Sequence, residues 1–593
     1  MTILAGILSR GAGRPVPAAA RDELRRLVSR DPRDEPAEFG DDRCCLWKVD
    51  TGAYGEPAAV ADADGRVSLL AGEPLLSRVD GDDQDGDFWQ GRDADLARLH
   101  RSWVAGDWDV LRKARGTFCA AHYDAAAGRL SVVADKLCLR PLYYWAGEEF
   151  FVFATALRVF EGLSLVPREM DLRAVTEVAS IGLPLGTRTP YADVSLLRAA
   201  EIVEVDARRV SRRQYWRWDD LTPSKQPADE LAGAAHAAFS RAVARRLRGE
   251  RSAVAFLSGG LDSRSVATAL HAQGVRLHTF NFAPAGTQDQ IFGRLFAAEI
   301  GALHGEAPAV PGDTPWSQLM ADAWGVSPRR AELPVARDRL VWSGDGGSVG
   351  LGHVYVYESV VELLRAGNLD EAVAEFLARH SAAVPQRLLS PSLSKALAPV
   401  LHVGLREELA DLRCADPGRA LYLFLMLNDQ RRHLERHFEE IDLHRLEFQL
   451  PFYDADFIAA VARVPVAECV GHKFYMKFVA RFPPVFMSAP WQSYPGHEPC
   501  PVPVPPDLGT QWQRGEWSAE RKRELLGQAA EMLKASDFPD ELLKRRYLSL
   551  ATLAYRAGLR DYSYLIQAAR TYHKYWSRCG GRLAPPPDAT SAP

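Results

Sequence analysis

Ser258-Gly259-Gly260-Leu261-Asp262-Ser263 is the stretch of this 593-residue chain whose residue types and spacing are best able to do chemistry. Two glycines let a backbone come close to a ligand, and two serines add hydroxyl donors. The apolar run Ala253 to Leu257 ahead of it has the length of a buried strand. Behind it Leu261, Val266, Ala269 and Leu270 keep helical spacing as far as Gly274, a C-cap glycine. Strand, glycine turn and helix N-terminus gather free N–H groups and the positive end of a helix dipole, a site for an oxyanion and most often a phosphate. Leu257, Ser258, Gly259, Gly260, Asp262 and Ser263 are therefore expected to border that phosphate. Asp262 suits so positive a cup only with a cation such as Mg²⁺ between carboxylate and phosphate. No Gly-Lys-Ser/Thr follows, and the third glycine of a dinucleotide fingerprint is missing, so the loop is neither of those phosphate binders.

A second stretch, 339–353, sets five glycines around Asp345. Such density means that the backbone approaches something closely or takes positive φ repeatedly. Gly344 is thus a candidate ligand contact. Asp345 is either a second cation ligand or the group that orients or deprotonates an amine nucleophile. In the proline-rich SAPWQSYPGHEPCPVPVPPD, His497 is a solvated loop residue or a proton carrier near pH 7.

The elements that must position these groups are legible in outline. Residues 1–215 alternate short apolar runs with turn signals and read as β-rich, with strands at Phe118–Ala121, Leu130–Ala134 and Phe150–Ala154. A polar linker covers 216–230. From 231 to 579 the order helix, strand, helix, strand (Arg276–Phe282), helix predicts a parallel sheet wound with helices, its ligands at the carboxyl ends of the strands. Residues 580–593 read as a disordered tail. The whole is an α/β chain. With 47% apolar and 25% charged residues and a net charge of −5, the chain has the composition of a globular protein and nothing that favours nucleic acid. No apolar run approaches the length of a membrane span, and eight scattered cysteines suggest a reduced, cytoplasmic protein rather than a disulfide framework or a zinc site.

SGGLDS resembles the pyrophosphate-binding loop of the ATP-pyrophosphatases, in their asparagine synthetase-like branch. ARGTFCAAHYDAAAGRLSVVADKLCLRPLYYW is similar to the class II glutamine amidotransferase domain, with Gly116, Phe118, Asp135, Arg140, Pro141, Leu142, Tyr143 and Tyr144 in matching positions. The resemblance implies an Ntn-type α+β sandwich followed by an ATP-pyrophosphatase domain, with ATP and Mg²⁺ bound, and an amide-forming ligase that releases AMP and pyrophosphate. It also implies that the turn after the second parallel strand, Phe282 included, borders adenine. Lys473, in GHKFYMKF, would contact pyrophosphate and neutralise charge on the leaving group. Asp262 and Asp345 would be the metal ligands. Glu447, in LEFQLPFYD, matches a family glutamate and is either catalytic or a buried structural partner.

The departures matter as much. The Gly6-Ile7 pair that follows the amidotransferase cysteine is preceded here by Ala5, with Thr2 three residues upstream, so the glutaminase is expected to be inactive. Ser348 stands at a metal-ligating aspartate, Gln449 at an arginine, and Gln492 and Tyr494 where the synthetases carry an arginine and their catalytic lysine; His497 is a possible substitute. SGDGGSVGLGH together with PWQSYPGHEPCP is most similar to the lasso peptide cyclases. That likeness implies adenylation of an Asp or Glu side chain of a leader-free peptide and ring closure by its N-terminal amine. A leader peptidase and a leader-recognition protein would be partners, with no role for nucleic acid or membrane. An asparagine or β-lactam synthetase and a non-catalytic scaffold are the alternatives.

Overall fold

The computed structural model describes residues 2–11, 13–76, 91–308, 316–327, 330–510 and 518–585. Two six-stranded antiparallel sheets make the amino-terminal region. One runs Val194–Leu196, Tyr143–Ala146, Phe150–Ala154, Thr2–Ser9, Cys44–Asp50 and Ala37–Gly40 in spatial order. The other runs Val210–Gln214, Glu201–Val205, Arg129–Ala134, Phe118–Asp124, Arg66–Gly72 and Ala59–Ala61. Leu8 and Val152 of the first and Leu69 and Val132 of the second are fully buried in one continuous core, so the sheets form a sandwich. The three strands expected from sequence are all present.

The second region is a five-stranded parallel sheet ordered Leu303–Glu306, Arg276–Asn281, Ser252–Phe256, Leu340–Trp342 and Glu447–Gln449. Its two central strands, Ser252–Phe256 and Leu340–Trp342, are mostly apolar, as strands buried between helices are. Among these helices are Ala228–Leu247, Leu261–Ala272 and Gln288–Glu299. Strand order reverses beside Ser252–Phe256, between it and Leu340–Trp342. A crevice opens at the carboxyl ends of the strands at such a point. The two chemically able loops, 257–263 and 343–348, leave these two strands.

Buried polar contacts join the regions. Arg140 and Glu447 form an ion pair. Arg248 meets Glu73 at 2.7 Å, and the Gln449 amide donates to the same carboxylate at 2.9 Å. The linker is pinned rather than loose: the Trp218 indole donates to the Lys136 carbonyl at 2.6 Å and Ser224 N–H to the Arg463 carbonyl at 2.7 Å. At the other end, the helix Ser563–Arg578 returns to pack on Leu172–Ile181, where the Tyr572 and Thr176 hydroxyls lie 2.8 Å apart. Residues 580–585 depart from the expected tail. Met170 N–H donates to the Arg582 carbonyl at 2.9 Å and Ala584 N–H to the Met170 carbonyl at 3.1 Å, and this pairing orders them. The rest of that expected tail, 586–593, lies outside the described residues. Among the described residues no helix is long and apolar enough to cross a membrane.

Candidate active site

Gly260 caps the helix Leu261–Ala272 in an extended conformation, so the turn delivers its N–H groups to the helix start. Ser258 N–H donates to Ser263 Oγ at 3.0 Å, the two serine hydroxyls lie 2.8 Å apart, and Gly260 N–H donates to Ser258 Oγ at 3.3 Å. Gly259 N–H is held by Asp289 Oδ1 at 2.7 Å. A Cβ on Gly259 would lie 2.6 Å from the Gln288 carbonyl oxygen, so close approach of the next helix requires glycine there. Leu257 supports this cup from below: its side chain is in the core and its carbonyl accepts from the Asn281 amide at 2.7 Å. At the end of the neighbouring strand, the half-buried Phe282 stacks on Phe256 with ring centroids 5.0 Å apart.

Asp262 is the centre of the site. Ser348 Oγ donates to its Oδ2 at 2.5 Å and Tyr475 OH to its Oδ1 at 2.6 Å. Burial pushes its carboxyl up to about 6, and the charge of Asp345 adds to the rise against those two hydrogen bonds. The glycine loop packs directly on this residue. A Cβ on Gly347 would lie 2.5 Å from Asp262 Cγ, and one on Gly344 would lie 2.4 Å from Ser263 N. Gly344 therefore abuts the cup. Gly344→Ala should lower any nucleotide-dependent activity by at least about tenfold, by forcing this loop off the cup; nucleotide affinity measured by calorimetry checks it.

Asp345 accepts from the Ser343 hydroxyl and, at Oδ1, lies 3.2 Å from His433 Nε2. Burial opposes protonation of His433, but the hydrogen bond and the charges of Asp345 and Asp429 hold it above its ordinary value. His433 ends the short α-helical turn Arg431–His433, which follows a π-helical segment, Leu425–Gln430. Such segments are frequent at functional sites. Gln430 accepts from Tyr453 OH at 3.0 Å, and the Tyr453 ring fills the space where a Gly346 side chain would stand. None of Tyr475, His433, Asp289 and Tyr453 is named by the sequence patterns. Tyr475 carried a faint signal, two residues past Lys473 on one helix.

Asp262 accepts from Ser348 and Tyr475, Asp345 accepts from Ser343 and lies beside His433, and a carboxylate has room for further partners. Two hydroxyls and a second carboxylate surround Asp262, with burial and like charge raising its pKa, which suits a cation. No group of three or more His, Cys, Asp or Glu gathers among the described residues. The pair thus fits a divalent ion that arrives on a phosphate and keeps waters of its own, as Mg²⁺ does, rather than a protein cage.

Two expectations need correction. Glu447 is not at the crevice. It pairs with Leu340 in the parallel ladder, three residues before Ser343 and roughly 10 Å below the strand ends at about 3.3 Å per residue. There its fully buried carboxylate is taken by Arg140, so it is a structural partner between regions. His497 does not stand on either aspartate. Its ring lies against His472 and Tyr494, at 4.3 and 4.7 Å between centroids, and burial lowers its pKa with no carboxylate to orient it. Lys473 is exposed at the start of the helix Lys473–Val479, two residues before Tyr475. The Arg264 guanidinium, buried among Phe296, Phe486 and Trp491, bonds to the Ala489 and Pro490 carbonyls at 2.5 and 2.6 Å. It fixes the proline-rich loop beside the cup.

Residues 92–216 match the family described as glutamine amidotransferase domain, and residues 234–316 match asparagine synthase. Parts of the chain are similar to asparagine synthetases. A putative asparagine synthetase 2 (glutamine-hydrolysing) of Methanocaldococcus jannaschii is 25% identical over 31% of this chain and 36% of its own length. Asparagine synthetase 3 (glutamine-hydrolysing) of Bacillus subtilis is 23% identical over 40% of this chain and 37% of its own. The matches thus span well under two thirds of either relative. Among solved structures, the allosteric regulatory enzyme of purine biosynthesis aligns at 12% identity over 52% of this chain and 81% of its own, with a TM-score of 0.26.

Proposed function

We propose that this chain is an ATP-dependent macrolactam synthetase that closes a ring in a leader-free peptide. The observation that carries this reading is the pairing of an intact phosphate cup with a sandwich that lacks a nucleophile. Ala5 is fully buried in mid-strand, paired with Trp47 and Ala154, and the strand continues through Thr2 to Leu4. The nearest thiols are no substitute: burial raises both Cys44 and Cys45, the latter to about 11, which leaves them protonated at neutral pH. Ammonia from glutamine is then not supplied, and the amine must come with the substrate.

In this reading the oxygen of an Asp or Glu side chain of the peptide attacks the α-phosphorus of ATP. The bond from that phosphorus to the bridging oxygen breaks, and pyrophosphate leaves. The peptide's N-terminal nitrogen then attacks the acyl carbon, AMP leaves, and the amine proton passes to His433. The N–H groups that open the helix after Gly260 and the serine hydroxyls hold phosphate oxygens, and the exposed Lys473 meets the leaving pyrophosphate. Asp262 and Asp345 would hold a Mg²⁺ brought by the nucleotide, which supplies charge neutralisation of the phosphates. Holding amine and acyl carbon together can contribute about 7–11 kcal/mol through effective molarity. Excluding water protects the adenylate.

The names of the relatives favour a second reading, synthesis of asparagine. Pyrophosphate exchange into ATP separates the two. The first reading expects exchange that depends on a linear peptide with a free amino terminus and an acidic side chain, and a product lighter by one water. The second expects exchange with free aspartate and glutamine-dependent asparagine formation. Thr2→Ala should leave peptide cyclisation within twofold of the parent; a large loss, read by mass spectrometry of the product, would restore an N-terminal nucleophile.

A further inference from the structure

Three segments touch the cup: Ser348 and Tyr475 at Asp262, and Gln492, whose N–H donates to the Gly259 carbonyl at 2.9 Å. A few residues away along the chain the same three segments meet again. His472 and Tyr494 flank the His497 ring, and Tyr494 stands 6.3 Å from Tyr355, with their hydroxyls hydrogen-bonded to each other. His472 Nε2 closes on Gly352, where a Cβ would lie 2.6 Å away. His380 completes the far side, 5.2 Å from the Tyr355 ring.

Two features set this cluster apart. His353, Tyr355 and His472 hold φ of 52°, 71° and 66°, a left-handed conformation that bulky residues rarely keep outside functional sites. In addition His353 Nε2, His380 Nε2, His472 Nε2 and His497 Nδ1 are buried without a hydrogen-bond partner. His353 and His472 are 1% and 5% exposed. Buried polar atoms are nearly always paired, so the orphaned nitrogens of His472 and His497, whose rings are in contact, point to a ligand that supplies the missing partners. Burial lowers all four histidines, His353 and His472 to about 3, so each ring is neutral and presents an N–H and a lone pair.

We infer that this cluster of neutral imidazoles and tyrosines beside the cup seats the peptide main chain that flanks the carboxylate being activated. Neutral donors and acceptors set among aromatic faces match backbone N–H and C=O groups and uncharged side chains. They do not match the α-ammonium and α-carboxylate of a free amino acid, which need opposite charges when desolvated. His472 lies three residues before Tyr475 and Tyr494 two after Gln492, both of which touch the cup, so a peptide lying on the cluster can extend its acid toward Asp262. The inference rests on the proposed function and names its substrate side.

The test is pyrophosphate exchange with the full-length protein and a synthetic linear peptide carrying a free amino terminus and one acidic side chain. His472→Asn keeps a residue that tolerates left-handed φ, and His497→Phe keeps the ring packing; both remove orphaned nitrogens. Each should raise the KM for peptide at least tenfold, leave the KM for ATP within twofold, and leave thermal melting intact. Tyr494→Phe, which removes one hydroxyl, serves if either variant fails to fold, with a rise of about threefold expected. A peptide KM unchanged in the folded variants, with parental exchange present, overturns the inference alone. Exchange by the parent with free aspartate and with no peptide overturns the proposed function, and the inference with it.

Discussion

Asp262→Ala should lower pyrophosphate exchange by on the order of 10²–10³-fold or more while the protein still folds, because it removes the group on which cup, glycine loop and Tyr475 converge. The same residue makes a prediction of opposite sign for stability. Its carboxyl sits at about 6 in the folded chain against 3.8 ordinarily, so folding disfavours the ionised form. The nucleotide-free protein should therefore gain stability as pH falls from 7 toward 5, through the folded-state value. Asp262→Asn should flatten that part of the pH dependence and melt no lower than the parent at pH 8, even though it is inactive. Thermal melts across this range, with exchange assays on the same samples, separate the two effects. A variant that keeps exchange near the parental rate removes Asp262 from the site.

Glu447→Gln should do the reverse, destabilising the protein with little effect on chemistry. It leaves the buried Arg140 without its counter-charge, a change that costs about 3–5 kcal/mol when one partner of such a pair is removed. Stacking of Arg140 over Phe438, 4.5 Å from the ring, does not replace that charge. Denaturant unfolding should show the loss, whereas the folded fraction keeps its KM for ATP, since Glu447 lies at the opposite end of the strand from the cup. Replacing both partners together, Arg140→Met with Glu447→Leu, should recover most of the stability. If Glu447→Gln instead abolished exchange without lowering stability, the catalytic role expected for it from sequence would stand.

The contrast between these two carboxylates shows what the sequence carries. SGGLDS is a local device: strand, turn and helix lie within about 20 consecutive residues, so its geometry follows from glycine placement and helical spacing alone. The glycine loop around Asp345 was legible for the same reason. Glu447 and Arg140 are 307 positions apart, and which of two buried roles a glutamate takes depends on a partner that only the tertiary fold supplies. His433 lies in a region legible only as helical, because a π-helical register leaves no distinct spacing of apolar residues. Ser348 looked like a lost metal ligand, and the structure shows its hydroxyl still bound to Asp262. The pinned linker and the pairing of Met170 with residues 582–584 were likewise hidden, since polar and proline-rich stretches read as loose until their hydrogen-bond partners are known.

Nucleotide products formed during peptide turnover test the central claim most directly. If the cup positions ATP for attack at its α-phosphorus by a peptide carboxylate, each ring closed should be matched by one AMP and one pyrophosphate, and Asp262→Ala should form neither. Ring closure accompanied by ADP and phosphate, or ATP consumption with no dependence on peptide, would contradict it.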